Sequence, residues 1–198
     1  MTASLDILRR EVEALHRSHA ELAAFCPWPD DVRPQPLKPF HIPAADLMTA
    51  ETGFGATPYQ RLCDALIDVS DQMQWRETYK GSNIDPDFMA RFACYEIVGR
   101  DAPFASQAMR SFVVYQPTHL HYPWHHHPAE ELYVVLAGEA EFHLEGTPSR
   151  TLKPGDSAFH PSATPHALTS HDHPVMAYVV WHDCFDTAPV WTHPENPT

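Results

Sequence analysis

A mainly β chain, folded as one barrel or jelly-roll domain behind an N-terminal helical region, is what this sequence predicts, and three observations carry that reading. Apolar residues recur at helical spacing over roughly the first ninety residues and not beyond. From there the period falls to two, in short apolar segments divided by glycine- and proline-containing turns. Most of the 15 histidines lie after position 118, so metal and acid–base chemistry is concentrated in the β half.

Leu5, Leu8, Val12, Leu15 and Leu22 fall on one helical face, with Ser4 available as N-cap, and predict an amphipathic helix over residues 5–25. Cys26-Pro27-Trp28-Pro29 ends it. Six prolines from Pro27 to Pro43 then exclude a long helix or a central strand; the stretch reads as an extended strap over the core, with an interdomain linker as the alternative. Thr57 as N-cap, Pro58 at the first helical position and Gln60 three residues on predict a second helix, with Tyr59, Leu62, Leu66, Val69 and Met73 as its buried stripe. Asp85-Pro86 predicts a short helix through Phe92. Strand character then marks 94–98, 108–115, 139–144, 157–160, 166–169 and 175–181, separated by turns such as Gly138, Gly146-Thr147-Pro148, Pro154-Gly155-Asp156 and His173-Pro174. Short strands at this spacing build a barrel whose mouth is the expected ligand site. The division on this reading is 1–90 for helices and strap and 91–198 for the barrel.

A formal net charge of −13, with no run of Lys or Arg, makes nucleic acid and anionic membrane poor partners. No apolar run approaches the ~20 residues that span a bilayer. The opening MTASLDILRREVEAL has no signal-peptide apolar core, so the cytoplasm is the expected compartment. The four cysteines are widely spaced and form no C-x-x-C pair, which points away from a disulfide framework or a thiolate zinc site. Nothing in the sequence sets the oligomeric state.

Function is written most densely between His121 and Gly138, HYPWHHHPAEELYVVLAG. His125 and His127, one residue apart on a strand, project to the same face, while His126 points to the other. Glu131 and Tyr133 repeat that parity after a turn at Pro128, so two imidazoles, a carboxylate and a phenol can converge on one cation. Tyr133 is near enough to coordinate or to act as a base, and a cation beside it favours its phenolate. Tyr122 has the wrong parity to join them in an unbroken strand; a bulge at Pro123 would turn it inward. Trp124 and Trp181 add aromatic surface that can hold a cationic ligand.

The His125-x-His127-x3-Glu131-x6-Gly138 spacing resembles the metal-binding first motif of the cupin superfamily. Gly155-Asp156, Pro161 and His166 resemble the second motif, which would make His166 the fourth ligand. Three departures stand out: His119 and Ala163 occupy positions where the motifs carry glycine, and Ser170 one where asparagine is common. Tyr122-x-x-His125-x-His127, Ala129-Glu130-Glu131-Leu132-Tyr133 and Leu136-Ala137-Gly138 are similar to the cupin lyases of dimethylsulfoniopropionate (DMSP), most closely the Q type. Trp75-Arg76-x-Thr78-Tyr79, Tyr95-Glu96 and Val180-Trp181 extend the likeness over most of the chain.

The resemblance implies a single-domain cupin, that is, a double-stranded β-helix or jelly-roll barrel. It implies that His125, His127, Glu131 and His166 hold one divalent transition metal: zinc, iron, manganese, nickel or cobalt. It also implies a carbon–sulfur lyase that splits a small zwitterionic substrate, DMSP, into dimethyl sulfide and acrylate by β-elimination. Tyr133 is the first choice of base and Tyr122 the alternative base or orienting residue; Tyr122, Trp124 and Trp181 form the substrate wall. Two rivals share the scaffold: another metal-dependent cupin enzyme, a dioxygenase or isomerase, and a non-catalytic cupin that binds a small ligand.

Overall fold

The computed structural model describes residues 2–77, 79–80 and 84–192. Thr78, which belongs to one of the likeness motifs above, lies outside the described residues. Five helices, α1 (Ala3–Ser18), α2 (Ala20–Phe25), α3 (Pro43–Ala50), α4 (Gln60–Asp68) and α5 (Pro86–Arg91), occupy the N-terminal part. One short strand, β1 (Arg33–Pro34), lies among them. The remaining strands are β2 (Ala93–Val98), β3 (Phe104–Ala105), β4 (Arg110–Gln116), β5 (Leu120–His126), β6 (Glu131–Gly138), β7 (Ala140–Leu144), β8 (Arg150–Leu152), β9 (Ser157–His160), β10 (His166–Ser170), β11 (Val175–Trp181) and β12 (Val190–Trp191). Among the described residues they form a seven-stranded sheet, β1-β3-β2-β4-β11-β6-β9, and a five-stranded sheet, β12-β5-β10-β7-β8. No helix among them is long and apolar enough to cross a membrane.

Alternation along the central strands explains why two apolar clusters exist. On β11, Met176, Tyr178 and Val180 face the helices, while Val175, Ala177, Val179 and Trp181 face the other sheet. Leu132, Val134 and Leu136 of β6 join the helix-side core, and Tyr133 and Val135 join the inter-sheet core. Strands buried on both faces read as continuous apolar runs. The helix side is closed by Leu8, Val12, Leu22, Leu66 and Met73. The boundary placed at 90/91 falls in the last turn of α5, and β1 carries the preceding segment into the sheet edge through its pairing with β3.

The helical half differs from the sequence reading in three places, each time because a side chain has a tertiary partner. The helix expected over 5–25 is capped by Thr2 rather than Ser4 and breaks at His19. The His19 Nδ1 accepts from the Leu22 amide at 3.3 Å, and its Nε2–H donates to the Gly155 carbonyl at 3.0 Å. The proline-rich strap ends at Pro43 as expected, but a helix the sequence reading did not include follows it: Pro43 opens α3 with Ala44, Ala45 and Met48 buried. Thr57 does not cap α4: its hydroxyl donates to the Leu136 carbonyl and accepts from the Tyr59 amide, so the helix starts at Gln60 with Tyr59 at its N-cap. It ends at Asp68, and Val69 and Met73 are buried beyond it. Asp85 does cap α5, accepting from the Asp87 amide, and Pro86 opens the helix.

Backbone conformation accounts for two of the motif departures. His119 and Ala163 have φ of 55° and 56°, the left-handed region that glycine enters at little cost. A residue with a Cβ pays about 1–2 kcal/mol there. Ala163 holds that conformation with its amide bonded to the His127 carbonyl at 2.8 Å, which ties its loop to the strand end carrying His127. Gly138 (φ 69°) does use glycine, because a Cβ there would collide with the Pro174 carbonyl. Replacing Gly138 with Ala is expected to cost at least about 2 kcal/mol, and Ala163→Gly to add about 0.5–1 kcal/mol, both read by denaturant unfolding.

His16 is buried where α1 meets the sheet. Its Nδ1–H donates to the Cys26 carbonyl at 3.0 Å and its Nε2 accepts from the Tyr178 hydroxyl at 2.8 Å, which fixes the neutral form. Burial pushes its pKa from 6.5 down to about 4, partly opposed by the Cys26 carbonyl. The unfolded chain therefore binds the extra proton between these values, so this contribution is full above pH 6.5 and is lost as pH falls towards 4. Unfolding free energy should drop by up to roughly 2–3 kcal/mol from pH 7 to pH 4.5 on this account, and His16→Gln should flatten that part of the profile.

Candidate metal centre and active site

Strand register assembles the site from two rows. On the seven-stranded sheet, Trp181 of β11 stands opposite Glu131 of β6, which stands opposite His160 of β9. On the five-stranded sheet, His166 of β10 stands opposite His125 of β5. His127 follows the end of β5 and completes the ring. The nitrogens of His125, His127 and His166 lie within 4.8 Å of one another, as do the ligand atoms of Glu131, His160 and His166.

Each of the three expected histidine ligands has its Nδ1 against a backbone carbonyl: His125 on Pro123 at 2.8 Å, His127 on Ala129 at 2.9 Å and His166 on Thr164 at 2.9 Å. A carbonyl only accepts, so each Nδ1 carries the proton and each Nε2 is left to face the cluster. The Nε2 atoms of His127 and His166 are buried without a hydrogen-bond partner among the described residues, 3.4 Å and 3.3 Å from the Glu131 carboxylate. Glu131 itself accepts from Trp181 Nε1–H at 2.7 Å on one oxygen and from His160 Nδ1–H at 2.8 Å on the other.

This electrostatic arrangement calls for a cation. Burial alone would raise the Glu131 carboxyl, but the charge of His127 and the contacts from His127, His160 and His166 hold it well below the ordinary carboxylate range. Burial lowers His127 in turn, and the Glu131 charge more than offsets it, so the imidazole is raised. A proton at His127 sits on the atom that a metal ion would take. His125 is held well below its ordinary value, by burial first and then by His166. Orphaned imidazole nitrogens beside a carboxylate, with tautomers already fixed, form a donor set that fits a divalent transition metal.

A cavity of about 40 Å³ opens beside this cluster, and its lining includes Tyr122, His125, His127, Glu131, Tyr133 and Trp181, with Phe112, Val114 and Val179 as apolar wall. Tyr133 is buried, and its hydroxyl has no hydrogen-bond partner among the described residues. Burial, with Glu131's charge next, pushes its pKa well above the ordinary phenol value. Tyr122 reaches the same cavity through a β-bulge: β5 spends three steps, Tyr122 to His125, where β10 spends two, Leu168 to His166. Its ring stacks on His125 at 4.0 Å and its hydroxyl is hydrogen-bonded to that of Tyr79. Trp181 lies 4.4 Å from the His127 ring. Trp124 is not brought in; it lies beside His143, ring centres 6.0 Å apart, because the residue before His125 points to the opposite sheet face.

His160 is the residue that sequence reasoning missed. It stacks on His166 at 4.0 Å as well as donating to Glu131. The sequence places it at the end of a strand just before Pro161, but only the β6–β9 register sets it against Glu131. Ser170, at the asparagine position of the second motif, donates to the Pro117 carbonyl at 2.5 Å and accepts from the Leu120 amide at 3.2 Å, tying β10 to the start of β5.

Two facing sheets, antiparallel except at the β2–β3 pair, with a histidine and carboxylate cluster at one end define a cupin with a metal-competent centre. A model of the dimethylsulfoniopropionate lyase family matches residues 13–177. The chain is 50% identical over 189 residues to dimethylsulfoniopropionate lyase DddQ of Ruegeria pomeroyi, covering 96% of this chain and 94% of that protein. The crystal structure of DMSP lyase DddQ from Ruegeria pomeroyi DSS-3 superposes with a TM-score of 0.95 at 47% identity, covering 99% of this chain and 100% of that one. A chain from the crystal structures of the DMSP lyases RdDddP and RnDddQII gives a TM-score of 0.91 at 34% identity, covering 96% and 98%. The chain belongs to the dimethylsulfoniopropionate lyase family.

His160→Ala is expected to weaken metal binding by about 10–100-fold while the protein stays folded, because partners that orient a ligand contribute on that scale. His160→Asn, which keeps a donor near the carboxylate, should recover part of the loss in a chelator-competition titration.

Proposed function

We propose that this chain is a metal-dependent lyase that cleaves dimethylsulfoniopropionate to dimethyl sulfide and acrylate, with Tyr133 as the base. The observation that carries the choice of base is the Tyr133 hydroxyl, which faces the cavity two residues from Glu131 with no partner among the described residues. The hydroxyl of Tyr122 is already engaged by Tyr79, which suits a positioning role.

His125, His127, Glu131 and His166 would hold the metal; zinc, iron, manganese, nickel and cobalt all accept such a donor set. Bound there, a divalent cation supplies the positive charge that favours a phenolate at Tyr133 and stabilises the negative charge growing beside the substrate carboxylate. The Tyr133 phenolate removes a proton from the carbon next to the carboxylate. The electrons of that C–H bond become the double bond of acrylate, and the C–S pair leaves with sulfur as neutral dimethyl sulfide. Trp181 offers an aromatic face to the sulfonium, an attraction of roughly 0.5–2 kcal/mol. Its indole N–H donates to Glu131. Tyr122 and the apolar wall keep water from the reacting carbon.

Headspace analysis of purified, metal-loaded protein given DMSP should detect dimethyl sulfide, and chelation should abolish it. Tyr133→Phe should lower turnover by at least about 10²-fold with metal content retained, on the scale of a lost general base. His127→Ala should lose metal and activity together. Sulfide release from Tyr133→Phe at the wild-type rate would move the base to Tyr122.

A further inference from the structure

We infer that Arg76 is the specificity-determining residue that reads the carboxylate of the substrate; the inference rests on the proposed lyase reading. Arg76 lines two cavities at once: the small one beside the metal cluster and an adjoining outer one of about 480 Å³. Its guanidinium has no ion pair or hydrogen bond among the described residues. The other cations near this path are engaged. Arg110 is paired with the buried Glu96 and donates to the Phe185 carbonyl, and Lys80 is paired with Glu77 at 2.9 Å.

Arg76 is also held in place. Its amide donates to the Cys94 carbonyl at 2.9 Å, which fixes its backbone to a wall residue of the inner cavity. The guanidinium carbon lies 5.0 Å from the centre of the Phe112 ring, and Phe112 meets Trp181 edge to face at 5.4 Å. The cation and the aromatic wall proposed for the sulfonium are thus separated by one ring. The Arg110 guanidinium lies over the Trp181 ring at 6.0 Å with its charge paired to Glu96, so Arg76 is the cation left to meet the anionic end of a zwitterion whose cationic end lies towards the indole. In a protein of net charge −13, an unpaired guanidinium at the join of two cavities is a local exception that attracts an anion. Guanidinium and carboxylate match in planar, two-point geometry.

The test uses two probes on the metal-loaded protein: propionate for the anionic end and trimethylsulfonium for the cationic end, each by calorimetric titration and by competition with DMSP turnover. Arg76→Met should raise KM for DMSP about tenfold with kcat within about twofold, weaken propionate about tenfold, and leave trimethylsulfonium equal or tighter. Arg76→Lys, which keeps the charge without the fork, should fall between the two for propionate. Unchanged propionate binding in Arg76→Met overturns the assignment. Equal weakening of both probes also overturns it, since that is what a structural role would give. If wild-type protein releases no sulfide, the lyase reading fails, and the propionate and trimethylsulfonium titrations still decide the role of Arg76.

Discussion

A buried carboxylate is the constraint around which this structure is arranged. Glu131 is 3% exposed, and a charge taken that far from water is costly unless it is paired and fully hydrogen-bonded. Register supplies the partners: β11 brings Trp181 to one oxygen, β9 brings His160 to the other, and the five-stranded sheet brings His166 to the same end. None of these strands is adjacent to β6 in sequence. The site therefore exists only where both sheets are complete, and its geometry is as rigid as the sheet ladder that sets it.

The helices contribute by making that ladder possible. β6 and β11 are apolar on both faces, so a barrel without cover would leave Val134, Leu136, Tyr178 and Val180 in water. The helix-side core removes that penalty, at roughly 25 cal/mol per Å² of apolar area buried. It also adds the links of Thr57 to Leu136, His19 to Gly155 and His16 to Tyr178. Beside the cluster, Phe88, Phe92, Tyr79 and Trp191 pack around Tyr122, and β12 pairs with His125 and His126. Polar chemistry is thus confined to one ringed cluster inside an aromatic surround, where electrostatic interactions are least screened by water.

Much of the site was legible because strand parity is a local property. The shared face of His125 and His127, the repeat at Glu131 and Tyr133, and the need for a break at Pro123 all follow from period-two alternation within one stretch. The spans 157–160 and 175–181 were legible for the same reason, bounded as they are by turn residues on each side. Helix limits were less so: Thr57 has the chemistry of a cap, but the Leu136 carbonyl took its hydroxyl. His119 and Ala163 read as departures from motif glycines, yet both keep the left-handed backbone those glycines would have used.

By itself, the sequence determined the helical and β halves, the inward face of the His125–Tyr133 stretch, and the family likeness that singled out His166. These rest on spacing along a single strand or helix. Only the tertiary structure decided that His160 and Trp181 hold Glu131, that Trp124 faces away, and that Arg76 stands between two cavities, unpaired among the described residues. Each of these depends on which strands are neighbours and in what register. That choice is made by long-range packing of two apolar faces, and no local pattern encodes it.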